Sequence, residues 1–176
     1  MIARRTIAAS AAFILATLAP LGAQQPAPSP CPPALPNALD FWVGDWTVTA
    51  GGRPAGTDRV ERVSKGAAII ERWTDTDGGE GTSLFSFDPY ACTWHQLWIT
   101  DSPAQVGGLK HKDLVALAPG TSVRFQGAYP GRRSVTVLDR TTLTKLADGT
   151  VRQLIEVSVD GGAVWQSAFD AIYRRR

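Results

Sequence analysis

Beyond residue 23 the chain has no apolar run long enough to cross a bilayer, and no segment carries a sustained helical stripe of apolar residues. Cysteine and histidine are scarce, two of each in 176 residues, and His95 and His111 lack zinc-site spacing relative to Cys31 and Cys92. No metal site is expected. Haem needs an inward-facing axial histidine, and neither histidine reads as one, so no cofactor is expected. There is no G-x-S-x-G elbow and no recognisable spacing of Ser, His and Asp, which leaves nucleophilic catalysis without a motif. Basic residues do not cluster into a nucleic-acid face, because three of them are the terminal Arg174, Arg175 and Arg176.

What is present begins with a leader. "MIARRTIAASAAFILATLAPLGA" has a basic start, an apolar stretch from Ile7 to about Leu21 and a small-residue end, the pattern of a secretory signal peptide over residues 1–23. Thr6, Ile7 and Ala8 after Arg4-Arg5 fit the twin-arginine route poorly, so the general secretory route is favoured. Cleavage removes two arginines and no acids, taking the formal net charge from +2 to zero. An exported protein, periplasmic or extracellular, is implied, and in that compartment Cys31 and Cys92 are expected to form a disulfide.

Residues 24–40 carry six prolines and read as an extended leader, pinned if Cys31 is paired. From Phe41 to Arg176 the pattern is of short β-rich runs punctuated by Gly, Asp and Pro: 46–50, 57–65, 67–74, 82–87, 93–100, 109–111, 114–117, 122–129, 134–146, 151–159 and 164–174. About ten antiparallel strands joined by short turns predict an all-β, up-and-down closed barrel, since closure removes exposed edges. "SVDGGAVW" (158–165) has the form of a single Asp-box hairpin. "DTDGGEG" (75–81) lacks the twelve-residue calcium pattern and reads as a turn.

In "FWVGDW" (41–46), strand alternation puts Trp42, Gly44 and Trp46 on one face. The Gly44-x-Trp46 pair resembles the first-strand motif of lipocalins and other calycins. That resemblance implies that the tryptophan closes the narrow end of a barrel and that a basic residue of the last strand packs across it, with Arg174 the candidate. Trp42, Gly44, Trp46 and Arg174 are thus expected to form a structural plug. "IIERW", "FDPYACTWHQLWITD", "DGTVRQLIEVSVDGGAVW" and "FDAIYRRR" extend the resemblance to a group of secreted bacterial calycin-like proteins of unknown function. The resemblance implies a lipocalin-like barrel and no particular reaction. Ile155 stands where a further tryptophan is expected.

Glu71 and Trp73 share a strand face, as do Trp94, Gln96 and Trp98, and Gln153 is in phase with Ile155. If these faces look inward, Glu71, Trp73, Gln96, Trp98 and Gln153 line a cavity for a small, largely apolar ligand. His95 then faces solvent, and "LKHKD" (109–113) reads as a polar, solvated stretch. Two other readings stay open. One is a barrel enzyme using Glu71 as acid or base. The other is a filled barrel, with Glu71 paired to Arg62 or Arg72, acting as an envelope interaction module.

Overall fold

The computed structural model describes residues 31–101 and 108–176. The segment read as a signal peptide and the first part of the proline-rich leader lie outside the described residues. Ten strands follow one another: β1 (Gly44–Ala50), β2 (Arg53–Val63), β3 (Ala68–Asp75), β4 (Glu80–Asp88), β5 (Thr93–Thr100), β6 (Leu109–Ala118), β7 (Ser122–Pro130), β8 (Thr136–Lys145), β9 (Val151–Ser158) and β10 (Gln166–Arg175). Each pairs antiparallel with its neighbours in sequence, and β1 pairs with β10, closing an up-and-down barrel of lipocalin-like type.

The turns between strands use the expected chemistry. Gly51, Gly52, Gly78, Gly149, Gly161 and Gly162 all take positive φ in the connections, where other residues are strained. In the 158–165 turn, Gly162 N–H donates to Ser158 Oγ at 2.9 Å and Val164 N–H donates to Asp160 Oδ1 at 3.0 Å. In the 75–80 turn, the Asp75 carboxylate accepts from the N–H groups of Asp77 and Gly79, both at 2.8 Å. Both segments are hairpin turns, as the sequence suggested.

Two runs expected as separate strands, 109–111 and 114–117, are one strand, β6. Leu114 pairs with Phe125 and Ala116 with Arg124, so Val115 is an extra residue, a bulge that breaks the alternation midway. In the same way Ala55 of β2 is extra opposite the Val48–Thr49 step of β1, and Ala168 of β10 is extra opposite the Ile155–Glu156 step of β9.

One end of the barrel, the base, is sealed. Residues 31–40 are not extended. They fold in turns beneath it, with Ala38 and Leu39 buried and the Trp94 indole N–H donating to the Leu35 carbonyl at 2.7 Å. The strap is tied down twice, by the Cys31–Cys92 disulfide to the β4–β5 turn and by Arg62, which pairs with Asp40 and donates to the Pro36 and Gly66 carbonyls.

Trp42, Trp46, Phe85, Phe125 and Tyr173 form a connected cluster of edge-to-face rings inside the base, with centroids 5.3–6.5 Å apart. Trp42 does not share a strand with Trp46. It ends a 3₁₀ turn, Asp40–Trp42, and its carbonyl accepts the Trp46 indole N–H at 2.9 Å. Both rings are fully buried.

The basic partner of the plug is Arg175, which corrects the expectation of Arg174. Its guanidinium lies 4.5 Å from the Trp46 ring centroid. Trp46 registers directly against Arg175, so Tyr173 and Arg175 face in while Arg174 faces out, 3.8 Å from Asp148. Gly44 has the part its motif implies, because a Cβ there would meet the Arg175 guanidinium at 2.4 Å.

Candidate functional site: a polar belt beneath an aromatic rim

Above the plug the inward-facing positions turn polar. Asp58, Glu71, Ser83, Gln96, Lys112, Asp139, Thr141 and Gln153 are all buried, and they come from seven different strands. Strand register explains why they meet. Glu71 stands opposite Ser83, Gln96 opposite Lys112, Lys112 opposite Gly127, and Gly127 opposite Asp139. Together they make one layer around the barrel, the position at which inward side chains of successive strands reach the same height.

The layer is wired as two chains. Gln96 Nε2 donates to Ser83 Oγ at 3.1 Å, and Ser83 Oγ donates to Glu71 Oε2. On the other side Lys112 Nζ donates to Asp139 Oδ1 and, at 2.6 Å, to Thr141 Oγ1, while Lys110 Nζ donates to Asp139 Oδ2 at 2.8 Å. Tyr173 Oη donates to Gln153 Oε1 at 2.5 Å, linking the belt to the plug. Gly127 is what lets Lys112 reach β8, since no side chain stands between them. The backbones also approach there, and a Cβ on Gly127 would lie 1.9 Å from the His111 carbonyl oxygen.

Burial dominates the electrostatics. It raises the Glu71 pKa to about 7, against the opposing effects of the Ser83 hydrogen bond and the Lys112 charge. Asp58 is raised well above the usual carboxylate range, by burial first and then by the Glu71 charge. Burial also lowers Lys112, with Asp139 opposing it, and raises the Tyr173 phenol. Asp58 and Glu71 are therefore a carboxyl pair that resists double ionisation. Gln96 Oε1 has no hydrogen-bond partner among the described residues, whereas Asp58 and Glu71 lie close enough to share a hydrogen bond through a retained proton.

Over the belt lie the half-buried Trp73, Trp98, Ile155 and Phe169. Trp73 meets Phe169 edge-on at 6.1 Å. Each indole lies over a glycine of the preceding strand. A Cβ on Gly56 would touch the far edge of Trp73 at 2.8 Å, and one on Gly81 that of Trp98 at 2.2 Å. Both rings are accordingly laid against the barrel wall.

The five residues proposed from sequence occupy two levels. Glu71, Gln96 and Gln153 are in the belt, and Trp73 and Trp98 are in the rim. Glu71 is not paired with an arginine. Arg62 is held by Asp40, and Arg72 Nη1 pairs with Glu61 at 2.6 Å on the outer face. Glu156 of β9 faces out and forms a two-bond pair with Arg140 at 2.7 and 2.9 Å. Two further interior carboxyls were missed by sequence reasoning: Asp58, in phase with the buried Val60, and Asp139, in phase with the buried Val137.

"LKHKD" needs correction as well. Lys110 and Lys112 point inward while Leu109, His111 and Asp113 are exposed, an alternation hidden because the inward residues are the cationic ones. His95 faces outward, as the phase of Trp94 and Trp98 required, and pairs with Asp113 at 2.6 Å. Two surface hollows are formed by described residues. One, of about 550 Å³ beside the base, is lined by Asn37, Asp40, Phe41 and Arg175; the other, of about 400 Å³, lies along Ala128–Gly131. Neither reaches Glu71. No helix among the described residues is long and apolar enough to cross a membrane. Compared with protein-family models and with curated proteins, the chain matches none.

Proposed function

We propose that this is an exported, lipocalin-like binding protein. It takes a small, largely apolar molecule at the rim of the barrel, against Trp73, Trp98 and Phe169, and orients it by a hydrogen bond to the belt of Glu71, Gln96 and Gln153. One observation carries the reading: the buried Gln96 Oε1, an acceptor without a donor among the described residues, lies in the belt beneath the rim indoles of Trp73 and Trp98. A buried acceptor without a donor is costly, and a ligand that brings an N–H or O–H satisfies it. The ligand class that fits is an aromatic or aliphatic body with one donor group. The disulfide is compatible with export, and membership of the secreted bacterial calycin-like group belongs to the same reading, supported by the order of its motifs.

The carboxyl pair supports a second reading, a barrel enzyme in which Glu71 moves a proton, because a pKa of about 7 suits general acid–base work. N-Phenylnaphthylamine, an apolar fluorophore with one N–H, tests the first. Trp73→Leu and Trp98→Leu should each weaken its binding by roughly 0.5–1.5 kcal/mol beyond area effects. Unchanged affinity in both variants would remove the rim from consideration. Glu71→Gln should leave a bound ligand chemically intact and alter affinity modestly. Loss of a measurable turnover with binding retained would favour the enzyme instead.

A further inference from the structure

On the outer wall, away from the belt, His95 of β5 stands opposite Asp113 of β6, and His111 stands opposite Leu97. The two imidazoles lie diagonally across the strand pair, stacked with centroids 5.9 Å apart and planes 17° from parallel. Asp113 Oδ1 lies between them, 2.6 Å from His95 Nδ1 and 3.8 Å from His111 Nε2. One donor atom from each of the three residues lies within 4.8 Å of the other two. We propose that His95, His111 and Asp113 form a surface binding site for a divalent transition-metal ion of the zinc or copper(II) kind.

The geometry is close to what such an ion needs. With bonds of about 2.0–2.1 Å, tetrahedral ligand atoms stand about 3.3 Å apart. The 2.6 Å separation must open, the 3.8 Å one must close, and the two imidazole nitrogens, within 4.8 Å of one another, must draw to the same spacing, all by side-chain rotation on the two-strand platform. Two imidazoles and a carboxylate select zinc or copper(II) over magnesium or calcium, which take all-oxygen sets. All three side chains are partly or fully exposed, leaving the remaining coordination positions to water or to a ligand from another molecule. An isolated His–Asp ion pair would explain His95 and Asp113 alone. Strand alternation puts His111 on the same face as Asp113, and its ring lies near-parallel to that of His95 with a nitrogen 3.8 Å from the same oxygen, so one patch presents three donors.

The site is tested by calorimetric titration of the untagged, disulfide-bonded chain with zinc and with copper(II), using magnesium as the control. One saturable ion per chain is expected, with no magnesium heat. His95→Ala and His111→Ala should each lower affinity at least tenfold, and Asp113→Asn should lower it measurably while preserving shape. The copper(II) complex should show two nitrogen donors by electron paramagnetic resonance. Because the residues are on the surface, the unfolding midpoints of the metal-free variants should match the parent, which separates ligand loss from misfolding. Absence of saturation in the parent, or affinity that survives either histidine substitution, overturns the proposal.

Discussion

Burial holds the pKa of the Glu71 carboxyl above its ordinary value, and this makes folding itself sensitive to pH. Its pKa rises from 4.5 to about 7 on burial, so the folded chain holds this proton more tightly than the unfolded chain does. The resulting stabilisation is complete below pH 4.5 and is lost as the pH rises through about 7. It amounts to about 3 kcal/mol over that window. Glu71→Gln carries no such charge. Its urea-unfolding free energy, relative to the parent, should therefore improve from pH 5 to pH 8, and a constant difference would contradict the assignment. A second residue-scale test separates neighbours in the last strand. Arg175→Ala should cost about 0.5–2 kcal/mol through the lost stack on Trp46. Arg174→Ala, exposed and 3.8 Å from Asp148, should stay within about 0.5 kcal/mol of the parent. The motif around Gly44 and Trp46 made the need for such a cation legible, but not its position. Arg174, Arg175 and Arg176 are consecutive, and only the register of β10, which sets Arg175 opposite Trp46, tells them apart.

At the scale of strands, the inward face was readable where large aromatics mark it, as Trp73 does on β3 and Trp94 and Trp98 do on β5, which placed Glu71 and Gln96 with them. The reading failed where no aromatic marks the inward face and the inward positions are polar. Lys110, Lys112 and Asp58 face the interior from strands whose outward residues are also charged or polar, so no contrast marks the two faces. What allows such an interior is visible only in three dimensions: Lys112 is matched by Asp139 two strands away, across the gap left by Gly127. Gly127→Ala should therefore be costly out of proportion to one methyl. Its Cβ would meet the His111 carbonyl, part of the backbone of β6, which cannot rotate aside. A loss of about 1–3 kcal/mol in chemical denaturation is expected. If Gly127→Ala is neutral, β6 and β7 are not held at this separation.

For the molecule as a whole, the strap and the barrel wall form one unit through Cys31–Cys92, which closes a loop spanning 61 positions. Replacing both cysteines by serine should lower stability by up to about 4 kcal/mol on the chain-entropy account, read as a fall in thermal midpoint, with the parent showing the same fall under reductant. The outer wall carries ion pairs such as Arg140–Glu156 and Arg152–Asp170, while the lumen carries its own neutralised charges. The closing contact of the barrel, β1 against β10, joins the first strand to the last. Every other ladder links strands adjacent in sequence and can zip up locally, whereas this seam must wait for nearly the whole chain. Until it forms, β1 and β10 are both open edges, able to pair with another copy. The disulfide has no such delay, because both of its cysteines precede β6. As the barrel folds, the covalent tie is thus available half a barrel before the edges disappear, and β10 is what finally protects β1.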